Sequence, residues 1–438
     1  MILVKGDTDM SEDKFRRTSE QLLDFIKRSP SVYHVIENFK TMLLTAGFKE
    51  LKEKDKWEIA ADGRYFVTRN DSALIAFTVP SVFDRFLIAA AHSDSPAFRI
   101  KDNPEIAKCG HYIDLDVEKY GGAIISPWLD RPLSVAGRVI IDTENGLCSR
   151  LVNIDRDLLV IPNLAIHMNR EINKGYEYSV QNDLLPLFGD EKADGRFMEL
   201  VAESAGTDKE HILASDLFLY SRTSGAIWGA DNEYISSGKL DDLQCAYSCM
   251  TGLIRVSKRD NANNAVNMCA IFDNEEVGSG TKQGADSTFL EETMKRINFV
   301  TGGSEEDYMR NVSESFMVSA DNAHAVHPLH AEKADPNNQP FMNLGPVIKY
   351  SANQKYTTDA VSGARFKKIC KDAGVPYQVF YNHSDVPGGS TLGNISTSHV
   401  SMNTVDIGLP QLSMHSVYET AGVKDSEYLI EAIEEMWK

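Results

Sequence analysis

Cysteine is scarce in this sequence: six residues in 438 (Cys109, Cys148, Cys245, Cys249, Cys269 and Cys370), with no pair at metal-ligand spacing. A disulfide scaffold is excluded, and the thiols read as reduced groups of a cytoplasmic protein. No apolar run comes near the roughly 20 residues that a bilayer-spanning helix needs. The opening MILVKGDTDMSEDKF lacks the apolar core and small-residue cleavage site of a secretory leader. Positive charge is short as well: 45 Lys and Arg stand against 64 Asp and Glu, a formal net charge of −19. Such a surface repels phosphate backbones and anionic lipid, which removes nucleic acid and membranes from the expected partners. Gly and Pro are not enriched, and no repeat or low-complexity tract occurs, so collagen-like and disordered readings fall away.

What the chain does have is an ordinary globular make-up, 42% hydrophobic and 25% charged. Its length is about three times that of a usual single domain, so two domains are expected. Phe15, Leu22, Phe25 and Ile26 follow helical spacing, and a second helix is expected over 32–44, stopped by Gly47. Residues 73–79 and 86–91 are apolar runs too short for helices. From about 101 to 235 the texture changes to short alternating stretches (133–141, 158–161) with turn residues and charged spacers, which reads as a β-rich insertion. After Gly238, the residues Leu240, Leu243, Tyr247, Met250, Leu253 and Ile254 make one apolar helical face. Short apolar strands then alternate with amphipathic helices. That alternation predicts an α/β fold with a mixed, mostly parallel sheet flanked by helices.

Function shows in where the polar residues sit. The run 86–91 is followed at once by His92-Ser93-Asp94, the run 266–272 by Asp273-Asn274-Glu275-Glu276, and the run 315–320 by Asp321. In open α/β sheets, ligands bind at the carboxyl ends of strands, so these groups should converge. Several acids and imidazoles sharing a site repel one another unless a cation neutralises them, which points to divalent metal. His92-x-Asp94 suits a ligand imidazole whose other ring nitrogen a carboxylate holds. Adjacent Glu275 and Glu276 point in different directions, so one can ligate while the other stays free as a base. Singly, each has an ordinary structural explanation: a turn aspartate, a solvated glutamate pair, a helix N-terminal aspartate at Asp241, a packed histidine at His415.

Together, His92, Asp241, Glu275-Glu276, Asp321 and His415, in that order, resemble the co-catalytic dizinc aminopeptidases. The strings AAHSDSPAFRIK, LDDLQ, DNEEVGSGT, SADNAHAVHP, IKYSANQKYTTD, GGSTLG and VDIGLPQLSMHSVYE are similar to the aspartyl aminopeptidase and aminopeptidase I family, over about residue 25 to the C-terminus. The resemblance implies a metalloaminopeptidase that removes single residues from peptides with a free N-terminus. It implies two divalent ions per subunit, zinc with manganese or cobalt as alternatives. Asp241 would bridge them, His92 and Asp321 would complete one ion's ligands, and Glu276 and His415 the other's. Glu275 would be the general base, and Asp94 would orient His92. The same resemblance implies a discontinuous catalytic domain (1–100 and 236–438), an inserted β-rich dimerisation domain (101–235) and a homo-oligomer, a dodecamer built from dimers. In the string IPNLAIHMNR, His167 would act in trans on the partner subunit's substrate. Lys349, His327 and Tyr356 would line the substrate pocket. With a screening length of about 8 Å, a pocket lysine outweighs distant surface charge, so acidic Asp or Glu at the substrate N-terminus is expected.

Rival readings are a relative preferring neutral, leucine-like residues, a dizinc amino-acid deacylase or carboxypeptidase, and a non-catalytic scaffold that keeps the metal for assembly. One departure from the family pattern is Asp242, where Asn is usual. A second carboxylate there would either tighten metal binding or raise the pKa of the attacking water. The Gly-rich run at 388–393 lacks a Lys at phosphate-loop spacing and reads as a turn lining the cleft.

Overall fold

The computed structural model describes residues 5–259, 263–386, 388–389 and 391–438, with side chains from residue 13 onward. Ser390 of the Gly-rich run lies outside the described residues. The first helix, Lys5–Lys27, buries Leu22, Phe25 and Ile26, and sets Phe15 edge-on to Tyr428 at 5.0 Å. The second, Val32–Thr45, ends two residues before Gly47, whose φ of +85° suits glycine.

A nine-stranded sheet forms the centre. Its order is Lys49–Leu51, Gly63–Arg69, Ala73–Val79, Ala265–Phe272, Arg85–His92, Phe316–Ala320, Asn403–Gly408, Val347–Tyr350 and Gln378–Tyr381. Most neighbouring pairs are parallel, and the antiparallel ones involve Ala73–Val79 and the Asn403–Gly408/Val347–Tyr350 pair. The central strands are apolar on both faces, because each face carries its own helical layer. Along Arg85–His92, Leu87, Ala89 and Ala91 pack with the helices Leu240–Val256 and Asp425–Met436. Phe86, Ile88 and Ala90 pack with the helix Phe289–Val300 on the other face. This two-residue alternation fixes which strand-end side chains leave the sheet on which side.

A second, six-stranded sheet is entirely antiparallel, in the order Gly146–Asn153, Leu133–Thr143, Ile212–Ser221, Ala97–Lys108, Tyr112–Tyr120, Leu187–Asp190. It has its own core, including Phe98, Val117, Trp128, Val135 and Leu217. The strand Ala97–Lys108 runs through residue 100, so the chain enters this sheet directly after Pro96. The alternating stretch 158–161 is not a strand of its own. Leu159 bridges to Leu133 and Val160 to Leu187, so the two bridged residues turn to different partners and neither ladder extends. A third sheet of five short strands carries Ala226–Trp228, Tyr234–Ser237, Glu419–Gly422, Pro410–Leu412 and Ala323–His324. Among the described residues no helix is long and apolar enough to cross a membrane.

Candidate metal centre

Arg85–His92, Ala265–Phe272 and Phe316–Ala320 are adjacent and parallel, with Phe272 paired to His92, so their carboxyl ends align. His92, Glu275, Glu276 and Asp321 leave this edge. Asp241 arrives at the start of the helix Leu240–Val256, where it and Asp242 lie outside helical φ/ψ. His415 arrives from the turn between Pro410–Leu412 and Glu419–Gly422, at a φ of +66°. Ligand atoms gather in three overlapping groups, each within 4.8 Å: His92, Asp241, Asp242 and Asp321; His92, Glu275 and Glu276; Asp241, Glu276 and His415. Asp241 faces both imidazoles, with Oδ1 3.5 Å from His92 Nε2 and Oδ2 3.6 Å from His415 Nε2. His415 Nε2 also lies 3.3 Å from Glu276 Oε2.

Three buried carboxylates hold these residues by their backbones. Asp94 accepts the N–H of Glu275 and of Glu276, each at 3.1 Å. Asp242 accepts those of His92 and Asn322, each at 3.2 Å. Glu419 accepts those of Asp241 at 3.1 Å and His415 at 2.7 Å. A carboxylate can accept on both oxygens, whereas an asparagine amide would turn its NH2 towards one of these donors. That is a physical reason for aspartate at 242.

The imidazoles are aimed by carbonyls. His92 Nδ1 lies 3.1 Å from the Asp94 carbonyl, and His415 Nδ1 lies 2.9 Å from that of Gly122. A carbonyl only accepts, so both Nδ1 atoms donate and both Nε2 atoms turn inward. Asp241 Oδ1 and Glu276 Oε1 are buried there and, among the described residues, accept no hydrogen bond. Imidazole lone pairs facing orphaned carboxylate oxygens are the donor set of a divalent cation. Without one, burial and the neighbouring charges of Asp321, Asp94 and Asp241 push the Glu275 carboxyl up to about 8. Burial and Asp241 push Glu276 up to about 11.

A family model for the aminopeptidase I zinc metalloproteases (M18) matches residues 25–437. The chain belongs to that family. A probable M18 family aminopeptidase 2 of Clostridium acetobutylicum is 48% identical over 96% of this chain and 98% of its own length. Among solved structures, Ape4 in its complex with Nbr1 superposes with a TM-score of 0.94 at 34% identity, covering 100% of this chain and 87% of that one. The S. cerevisiae mApe1 dodecamer superposes with a TM-score of 0.85 at 25% identity, covering 96% of each chain. The chain is therefore a zinc metalloaminopeptidase, a hydrolase with a mixed α/β fold that carries a β-rich part beside the catalytic one.

The aminopeptidase's remaining expected residues divide into two groups. Lys349 is 4% exposed and donates to the Asn322 carbonyl at 2.8 Å. It lies 3.8 Å from Asp321 Oδ2 and 5.6 Å from the Tyr356 ring, beside the metal cluster. Burial opposes its charge, but Asp321 and the surrounding groups outweigh that and hold it protonated. His327 is elsewhere, on an exposed turn, where its Nδ1 accepts the Leu329 N–H at 3.2 Å and its ring meets His330 at 5.0 Å. His167 is exposed between the exposed Ile166 and Met168. The supporting roles of Asp242, Glu419 and the Gly122 carbonyl were not legible beforehand. Asp242 stood out as a second carboxylate beside Asp241, without its grip on main-chain groups, and Glu419 only as the last residue of the string containing His415. A cavity of about 900 Å³ lies behind Asp94 and Asp241, between the 27–33 turn and the second sheet.

The raised carboxyls make a measurable prediction. At pH 7 Glu276, with a pKa near 11, holds its proton, and a cation bound at its carboxylate must displace it. Zinc titration of the metal-free enzyme at pH 7, in buffers of different ionisation enthalpy, should show release of about one proton or more per subunit. Heats independent of the buffer would contradict the cluster as described.

Proposed function

We propose that this aminopeptidase works with two zinc ions, Glu275 as its general base, and a preference for Asp or Glu at the substrate's N-terminus. One observation carries the two-ion reading: a single carboxylate, Asp241, presents one oxygen to His92 and the other to His415. On this reading His92 and Asp321 hold one ion with Asp241, and Glu276 and His415 hold the other. Zinc there supplies Lewis acidity to the scissile carbonyl and to the attacking water. Glu275 shares a group with His92 and Glu276, and its carboxylate accepts no hydrogen bond among the described residues. It is free to take the water's proton and to return it to the leaving amine. Asp94 fixes both the turn bearing Glu275 and the His92 ring.

Residues 1–100 and 236–438 form the catalytic unit and 101–235 the dimerisation unit, supported by the separate core of the second sheet. Assembly into a dodecamer, as in the S. cerevisiae relative, would bring His167 of one subunit to the oxyanion of its neighbour's substrate. The six unpaired thiols support a cytoplasmic setting. Lys349 supports acidic specificity, because the Asn322 carbonyl takes one of its three N–H donors and leaves two. Its closeness to Asp321 favours the second reading, a neutral, leucine-like preference, since part of its charge is already met.

Three measurements test these readings. Hydrolysis of matched peptides beginning with Asp, Leu or acetyl-Asp, before and after chelation and zinc add-back, separates the specificities. Metal-dependent cleavage of the Asp peptide is expected; a Leu preference would discard the role given to Lys349, and activity on acetyl-Asp alone would promote a deacylase. Glu275→Gln should keep its zinc and lose about 10²–10⁴ in kcat; wild-type turnover would remove Glu275 from the mechanism. His167→Phe should be inactive alone and partly rescued when co-assembled with Glu275→Gln, and a lack of rescue in verified mixed oligomers rules out action in trans.

A further inference from the structure

The junction between the two large sheets touches both sides of the cluster. Tyr120 ends the second-sheet strand Tyr112–Tyr120, and its hydroxyl donates to Asp94 Oδ2 at 2.7 Å. Asn274 Nδ2 donates to the same hydroxyl at 2.9 Å, and Asn274 Oδ1 is itself held by Thr281 Oγ1 and Gln283 Nε2. Asp94 is the carboxylate that accepts the Glu275 and Glu276 backbone N–H groups and lies 3.4 Å from His92 Nδ1. Next along the chain, a Cβ at Gly121 would stand 3.1 Å from Glu276 Cβ, so the strap passes directly over that side chain. The Gly122 carbonyl then aims His415, and the Ile124 N–H donates to the His415 carbonyl at 3.0 Å.

From these contacts we infer that Tyr120, a residue of the second sheet, is a positioning residue for the metal centre of its own subunit, acting through Asp94. Asp94 Oδ2 receives two donors, the Tyr120 hydroxyl and the Glu276 N–H. Deleting the hydroxyl leaves that oxygen one donor short and strands the Asn274 amide. A buried group in that state moves to find another partner. The Glu275–Glu276 turn and the His92 ring, both oriented by Asp94, lose their registration with it. The second sheet thereby shapes the centre in cis, independently of anything that a neighbouring subunit supplies.

This inference rests on the ligand assignment proposed above, and the test separates the two. Tyr120→Phe keeps the ring and its edge contact with Phe218 at 5.7 Å and removes only the hydroxyl. Phe218→Leu does the reverse. Competition of the assembled enzyme with a zinc chelator should show Tyr120→Phe holding zinc about tenfold more weakly. Its kcat should fall with KM little changed, while its thermal midpoint and oligomeric state match the unmodified protein. Phe218→Leu should keep zinc affinity and kcat. Wild-type zinc retention and kcat in Tyr120→Phe, or equal losses in Phe218→Leu, would overturn the inference. Chelator-insensitive activity of the unmodified enzyme would instead strike down the ligand assignment itself.

Discussion

Five carboxylates, Asp241, Asp242, Glu275, Glu276 and Asp321, share one largely buried volume with two imidazoles. At about 4 Å, a like-charge pair costs on the order of 4 kcal/mol at the effective dielectric of a protein surface, and more inside. No fold assembles such a group for its own stability. The upward shifts at Glu275 and Glu276 express burial first and this same repulsion second, as raised proton affinity. The rest of the architecture holds these charges together when they would otherwise separate.

It does so by a repeated device. Asp94, Asp242 and Glu419 each use two carboxylate oxygens to grip two backbone N–H groups. Five of the six gripped residues are His92, Asp241, Glu275, Glu276 and His415. A backbone N–H cannot rotate away as a side chain can, so the grip fixes the Cα positions from which the ligand atoms project. At Glu419 these N–H bonds favour the anion, but burial outweighs them and holds its carboxyl well above the ordinary value. The centre therefore has an inner set of acids that face a cation and an outer set that face the chain.

The inner set and Asp94 were legible in the sequence; the backbone grips of Asp242 and Glu419 were not. Runs 86–91, 266–272 and 315–320 are apolar because their strands are buried on both faces, and the polar residues after them mark where those strands leave the core. Parallel order then brings His92, Glu275, Glu276 and Asp321 to one edge. Asp242 and Glu419 act on main-chain groups, which every residue carries, so no spacing betrays their targets. Tyr120 has the same handicap, being the last residue of an ordinary alternating strand. The stretch 158–161 misled because alternation reports burial on one side, which a bridge between two strands satisfies as well as a strand does. His327, close in sequence to Asp321, lies on an exposed turn.

The course of the chain has one more consequence. It enters the second sheet at Ala97, a few residues past His92 and Asp94, and is back in Tyr234–Ser237 just before Asp241. The two stems of the excursion, and the strap from Tyr120 to Ile124 between them, are thus anchored at the reactive groups. Across descent, the outlying strands are free to lengthen, shorten or change their surface, whereas the stems must keep their separation to the ångström. Variation among relatives should be least at the stems, at the strap from Tyr120 to Ile124 and at His167, and greatest in the strands remote from all three.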